Sequence, residues 1–110
     1  MKYINENELS FIKLDNFGVK SIKRDDYDDG DVYYTFKLDL KSEIDIKNDG
    51  DGDVVFAMSF RDDEGYELDR DSIYIKTKAG QKKTFTASAY CMPAKLYDKV
   101  TSCVYYCIAR

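Results

Sequence analysis

Between Glu43 and Phe60, apolar residues recur at every second position on both sides of a run that only a turn can accommodate. Ile44 and Ile46 precede the run and Val54, Phe56, Met58 and Phe60 follow it, which is the period of a strand with one buried face. The run itself, Asn48 to Asp53 with Gly50 and Gly52 inside it, is turn chemistry: Gly and Asn tolerate positive φ, and Asp bonds its own backbone. The stretch therefore predicts a hairpin, with Val54 to Phe60 returning antiparallel to Ile44 to Ile46. That places Asp62 to Glu64 opposite residues near Leu40.

The same period governs most of the chain. Val32, Tyr34, Phe36, Leu38 and Leu40 alternate with polar or aromatic neighbours, and their parity runs on through Ser42 to Ile44 and Ile46. A straight strand over that length would span about 50 Å, too long for a domain of this size, so a bend or bulge is expected near Lys41 to Glu43. Such a bend lets one segment serve both sheets of a sandwich. After the turn at Arg61 to Gly65, Tyr66 to Leu68 reads as a short strand. Ser72 to Lys76 then carries Ile73 and Ile75 inward, and Thr84 to Tyr90 carries Phe85, Ala87 and Ala89 on one face. Turn signals thus recur about every ten residues, the spacing of sandwiches and barrels.

Met92 and Pro93 end that strand, and Pro93 to Lys99 is a loop or a single helical turn. The last strand, Val100 to Ile108, is apolar or aromatic on both faces. It is either central and covered on both sides, or half of it waits for a partner. Val104, Tyr106 and Ile108 are assigned to the core, with Cys103, Tyr105 and Cys107 on the opposite face. The expected fold is all-β: an antiparallel, immunoglobulin-like β-sandwich of six to eight strands with little helix, in one domain spanning residues 1–110. Residues 1–18 read in two ways. Asn5 with Glu8 fits a capping box for a short helix from Glu6 to about Lys13, and Leu9, Phe11 and Lys13 fit a strand. Asn16 to Gly18 breaks the pattern, and Val19 to Lys23 is a short strand.

Charge is unevenly spread. Residues 1–71 carry 20 acids and 10 bases, residues 72–110 one acid and seven bases, and the total is −4. An acidic total disfavours direct nucleic-acid or membrane partners, which reward clustered Lys and Arg. Neither an apolar leader nor an apolar run of membrane-spanning length is present, so a cytoplasmic location is expected. Three cysteines in such a chain are expected as free thiols. Cys103 and Cys107 lie about 13 Å apart along one strand face, too far to bridge, so only Cys91 could pair with either.

The middle of the chain resembles the FxLYD family of small bacterial β-sandwich domains. The resemblance rests on Asn48 and the glycines after it, Met58 to Phe60 leading into Asp62 to Gly65 and Leu68, then Ala79-Gly80 followed by Phe85. It covers about Ile44 to Ala89. Arg61 stands where that family usually has Tyr, and Ala79 where Pro commonly precedes the Gly. The resemblance implies an immunoglobulin-like architecture and no catalytic residues; such domains belong mostly to exported or membrane-attached proteins.

Catalysis is not expected, because the chain has no His and so no Ser–His or Cys–His arrangement. No cofactor is expected either. Asp49, Asp51 and Asp53 alternate as calcium ligands do, but Val54 and Phe60 stand where an EF-hand needs Gly and Glu, so solvated turns are preferred to a weak, irregular calcium site there or at Asp25 to Asp31. The expected function is a non-catalytic protein-binding domain acting through a β edge or an aromatic surface, with self-association into a homodimer as one form. The alternative is a small acidic inhibitor of the phage anti-CRISPR kind, blocking the basic channel of a nucleic-acid-binding enzyme. The residues assigned to partner binding are Asp25, Asp26, Asp28, Asp29, Asp31, Asp62, Asp63, Glu64 and Tyr105. The inhibitor needs the acidic loops to converge.

Overall fold

The computed structural model describes residues 1–23, 30–48, 53–86 and 90–109, with residues 22, 23, 90 and 91 described by backbone alone. Eight strands and one helical turn follow in order: β1 (Lys2–Asn5), β2 (Ile12–Lys23), β3 (Asp31–Ser42), β4 (Val54–Arg61), β5 (Glu67–Tyr74), β6 (Lys82–Thr86), β7 (Tyr90–Pro93), α1 (Ala94–Tyr97) and β8 (Ser102–Ala109). Two sheets pack as an all-β sandwich. One is ordered β1-β8-β4-β5; the other is β2-β3-β6, with β7 succeeding β6 along β3. Pairing is antiparallel except between β1 and β8.

The alternation of β3 holds as its sequence requires: Val32, Tyr34, Phe36, Leu38 and Leu40 are all buried. Its 12 residues account for about 40 Å of the molecule's 47 Å length. At Ser42 the strand ends in a tight turn, because the Ser42 hydroxyl donates to the Ile44 carbonyl at 2.8 Å and accepts from the Ile44 amide at 3.2 Å. The turn breaks the parity. Ile44, expected in the core, is 48% exposed, whereas Ile46 is buried.

The expected hairpin does not form. Ile46 exchanges two backbone hydrogen bonds with Thr77, and β4 lies between β8 and β5. A side chain stands in for the missing strand beside Val54. The Asn48 amide donates to the Val54 carbonyl and accepts from its N–H, both at 3.1 Å, and also donates to the Ile75 carbonyl. Asn48 adopts φ 46°, a conformation Asn tolerates better than most residues. Asp62 to Glu64 consequently lies at the β4–β5 turn and not opposite Leu40. The remainder of the expected turn, residues 49–52, lies outside the described residues, as do Ala87 and Ala89.

Residues 6–11 form no helix. The Asn5 carboxamide accepts from the Asn7 N–H in place of capping a first turn. Asn7 then ties the segment to β8, accepting from the Cys107 N–H at 3.2 Å and donating to the Leu9 and Ile12 carbonyls. Further on, β2 is continuous through a bulge in which Asn16 and Phe17 together oppose Leu38. Asn16 takes φ 54°, and the extra residue drives Phe17 inward. There its ring centroid lies 4.3 Å from that of Tyr105, 5.6 Å from Phe56 and 6.1 Å from Phe36. This aromatic cluster joins the two sheets.

In β8 the inward face is the reverse of the one expected. Cys103, Tyr105 and Cys107 pair beside Phe60, Met58 and Phe56, all core residues of β4, and belong to the core side. Val104, Tyr106 and Ile108 lie on the other side with Ser59, Ala57 and Val55; Val104 is nonetheless buried, as expected of it, whereas Tyr106 is half-buried and Ile108 exposed. Because both faces of the strand are apolar, alternation alone could not choose between them. The register against β4 does.

A candidate partner-binding face on one sheet

Register builds the outer face of the β1-β8-β4-β5 sheet row by row. Tyr74, Val55 and Ile108 form one row across β5, β4 and β8, and Ser72, Ala57 and Tyr106 form the next. Val55 and Ala57 are buried, yet their flanking neighbours are open: Tyr74 is 59% and Ile108 41% exposed, and Tyr106 is half-buried. Two small residues thus make a floor between taller apolar walls. A cleft of about 440 Å³ continues this face, lined by Tyr106 and Ile108 with Arg61, Glu6 and Glu8 at its margin.

A polar group borders the apolar rows. The Ser59 hydroxyl, fully buried, donates to Glu67 Oε2 at 2.7 Å and accepts from Arg61 Nε at 3.1 Å. Arg70 Nε pairs with the same Glu67 oxygen at 3.3 Å. Arg70 pairs with the Glu67 carboxylate and Arg61 with the Ser59 hydroxyl, so the border beside Tyr106 carries charge of both signs, with Glu6 and Glu8 across the cleft. Aromatic side chains and Arg around a desolvated floor are the composition of protein-interface hot spots.

This sheet has edges at β1 and β5, and the β5 edge is guarded. Asp69 and Asp71 lie opposite Phe60 and Met58, so both acids lean toward the interior from an edge strand. Burial, and then the neighbouring Asp69 charge, push the Asp71 pKa up. An incoming strand would desolvate these acids further, which is how edge strands resist pairing.

The residues assigned from sequence fall in several places. Tyr105 is on the core side, its ring tilted 37° against that of Phe17, and burial raises its pKa; Tyr106 is the aromatic residue that this strand turns outward. Asp62 closes the β4–β5 turn by accepting from the Glu64 and Tyr66 amides, with Gly65 at φ 86° completing it, whereas Asp63 and Glu64 are exposed. Asp31 opens β3 opposite Pro93. It shares an end of the sandwich with Asp62, since the chain from Pro93 passes through α1 to Thr101, whose N–H donates to the Arg61 carbonyl. Asp25, Asp26, Asp28 and Asp29 lie outside the described residues, as do Asp49 and Asp51.

Cys103 and Cys107 are buried free thiols, and burial pushes both up to about 12, so neither offers a thiolate near neutral pH. The Cys91 side chain lies outside the described residues. Among the described residues no cluster of three metal-ligating side chains occurs, and no helix is long and apolar enough to cross a membrane. No protein-family model, curated protein or solved structure matches the chain.

Proposed function

We propose that this domain is a non-catalytic protein-binding module whose docking surface is the outer face around Tyr74, Tyr106 and Ile108. The observation that carries it is large apolar side chains standing exposed over a floor that is already desolvated. Covering them adds apolar burial at little cost in ordering the floor. The inward aspartates of β5 favour the face over that strand's edge, and the mixed arginine and glutamate border suits a partner with polar groups of both signs around an apolar centre.

The buried free thiols support a reducing, cytoplasmic setting. The FxLYD-like character of residues 44–89 belongs to the same proposal. It is supported by Asn48 at a positive-φ clasp, Gly65 and Gly80 at positive-φ turns, and Phe85 packed against the core. A second function, the acidic inhibitor, draws support from Asp31 and Asp62 sharing one end of the sandwich.

Capture from lysate with the parent chain and with a Tyr74→Ser/Ile108→Ser variant separates the two, alongside sedimentation for self-association. The face predicts a partner, or a dimer, that the Ser variant loses and an Asp63→Asn/Glu64→Gln variant keeps. The reverse pattern supports the inhibitor and overturns the face.

A further inference from the structure

The bridge between Ile46 and Thr77 has an electrostatic consequence at the end of β4 away from the Asp62 turn. In an antiparallel bridge the positions flanking the pair also oppose each other, so Lys47 meets Lys76. Nearby, Lys41 pairs directly with Lys82 across β3 and β6. Like charges placed opposite one another are destabilising unless an acid lies beside them. Among the described residues Asp45 is the one acid lining the cleft that results, and the same rule sets it opposite Lys78.

That cleft measures about 570 Å³. Its walls carry Lys47, Lys76, Lys78, Lys82 and Lys83 over the buried Ile46 and Thr77, so that the described lining residues sum to +4 in a chain of −4. Part of this charge is engaged. Lys83 donates to the Lys76 carbonyl at 2.9 Å and sits 5.1 Å from the centre of the Phe85 ring, while Lys82 lies 3.8 Å from Asp39. The Asp45 carboxylate accepts from the Ala79 N–H. Lys47 and Lys78 have no ion pair among the described residues. A concave site of one sign concentrates counter-ions well beyond what the same lysines would do on a convex surface.

We infer that this cleft binds a compact oligophosphate, a function separate from the docking face. Lysine ammoniums are mobile point charges that suit clustered phosphate oxygens and need no planar fork. The volume is that of a small-molecule site and too short for a nucleic-acid track. Among the described residues no aromatic ring lines it to stack a base, and the nearby Phe85 already carries Lys83. The phosphate chain is therefore the recognised part, whether it is free or the tail of a nucleotide.

Calorimetric titration at low salt tests this with tripolyphosphate, ATP and adenosine as probes. The proteins are the parent, Lys47→Gln/Lys78→Gln and, as a control of equal charge, Lys20→Gln/Lys99→Gln, with folding checked by circular dichroism. Tripolyphosphate and ATP should bind saturably and with similar affinity, and adenosine should not bind. The cleft variant should bind at least about tenfold more weakly, since two charges about 6 Å from even one phosphate charge are worth that much in a water-like dielectric. The control should bind as the parent does. Absence of saturable binding, equal weakening in both variants, or binding of adenosine would overturn the assignment.

Discussion

Tyr105 and Ile108 are three residues apart on β8 and face opposite ways, so truncating each in turn measures which side of the strand is the core. Tyr105 is half-buried, and its ring lies 4.3 Å from Phe17 and 6.3 Å from Phe56, centroid to centroid. Removing about 100 Å² of buried apolar area at roughly 25 cal/mol per Å² costs about 2.5 kcal/mol, and the lost ring pairing adds about 0.5–1.5. Tyr105→Ala should therefore cost about 3 kcal/mol and lower Tm by about 12 °C or more. Ile108 is 41% exposed on the outer face, and Ile108→Ser should cost under about 1 kcal/mol. Urea unfolding gives both values, provided the m-value is unchanged so that the shift in midpoint reports stability. If Ile108→Ser costs as much as Tyr105→Ala, the outward assignment of Tyr106 and Ile108 is refuted.

Three further outcomes follow from the same packing. Phe56→Ala removes a fully buried ring flanked by Phe17 and Phe36 and should cost about 3–5 kcal/mol in the same assay. The Asp39 carboxyl is held below its ordinary value of 3.8 by hydrogen bonds from Thr84 and then Asn16, with Lys82 and Lys37 assisting. A depressed folded-state pKa means stability that is present above the unfolded value and lost as pH falls through the folded one. Asp39→Asn should accordingly lower Tm at neutral pH, with the gap to the parent closing in acid below 3.8; a gap independent of pH would contradict this. Cys103 and Cys107, buried with pKa values near 12, should resist alkylation in the native protein at neutral pH and react on unfolding.

Local pattern carried the fold class because β3 and β4 each present an apolar face with the period of the pleat, and because Asp62 and Gly65 are suited to the turn they make. What stayed hidden depends on partners distant in sequence. Nothing near Lys2–Asn5 announces a strand parallel to the last one, and the pairing of Ile46 with Thr77 is a choice between two compatible partners made elsewhere in the fold. The proposed docking face was half legible. The two-sided apolar character of Val100 to Ile108 allowed either a fully covered central strand or a face waiting for a partner, and with both parities apolar it pointed to Tyr105 where the structure turns out Tyr106. The lysine cleft was invisible for the same reason: Lys47 is far in sequence from Lys76, Lys78, Lys82 and Lys83, and the bridge at Thr77 gathers them.

Hydroxyl-radical footprinting with mass-spectrometric readout tests the docking face most directly, comparing the free chain with the chain bound to its captured partner or held as its dimer. Tyr74, Tyr106 and Ile108 should lose reactivity on binding, while Tyr66, 67% exposed beside the acidic β4–β5 turn, keeps its own. Protection of Tyr66 with Tyr74, Tyr106 and Ile108 unchanged would place the partner on the acidic end and contradict the account.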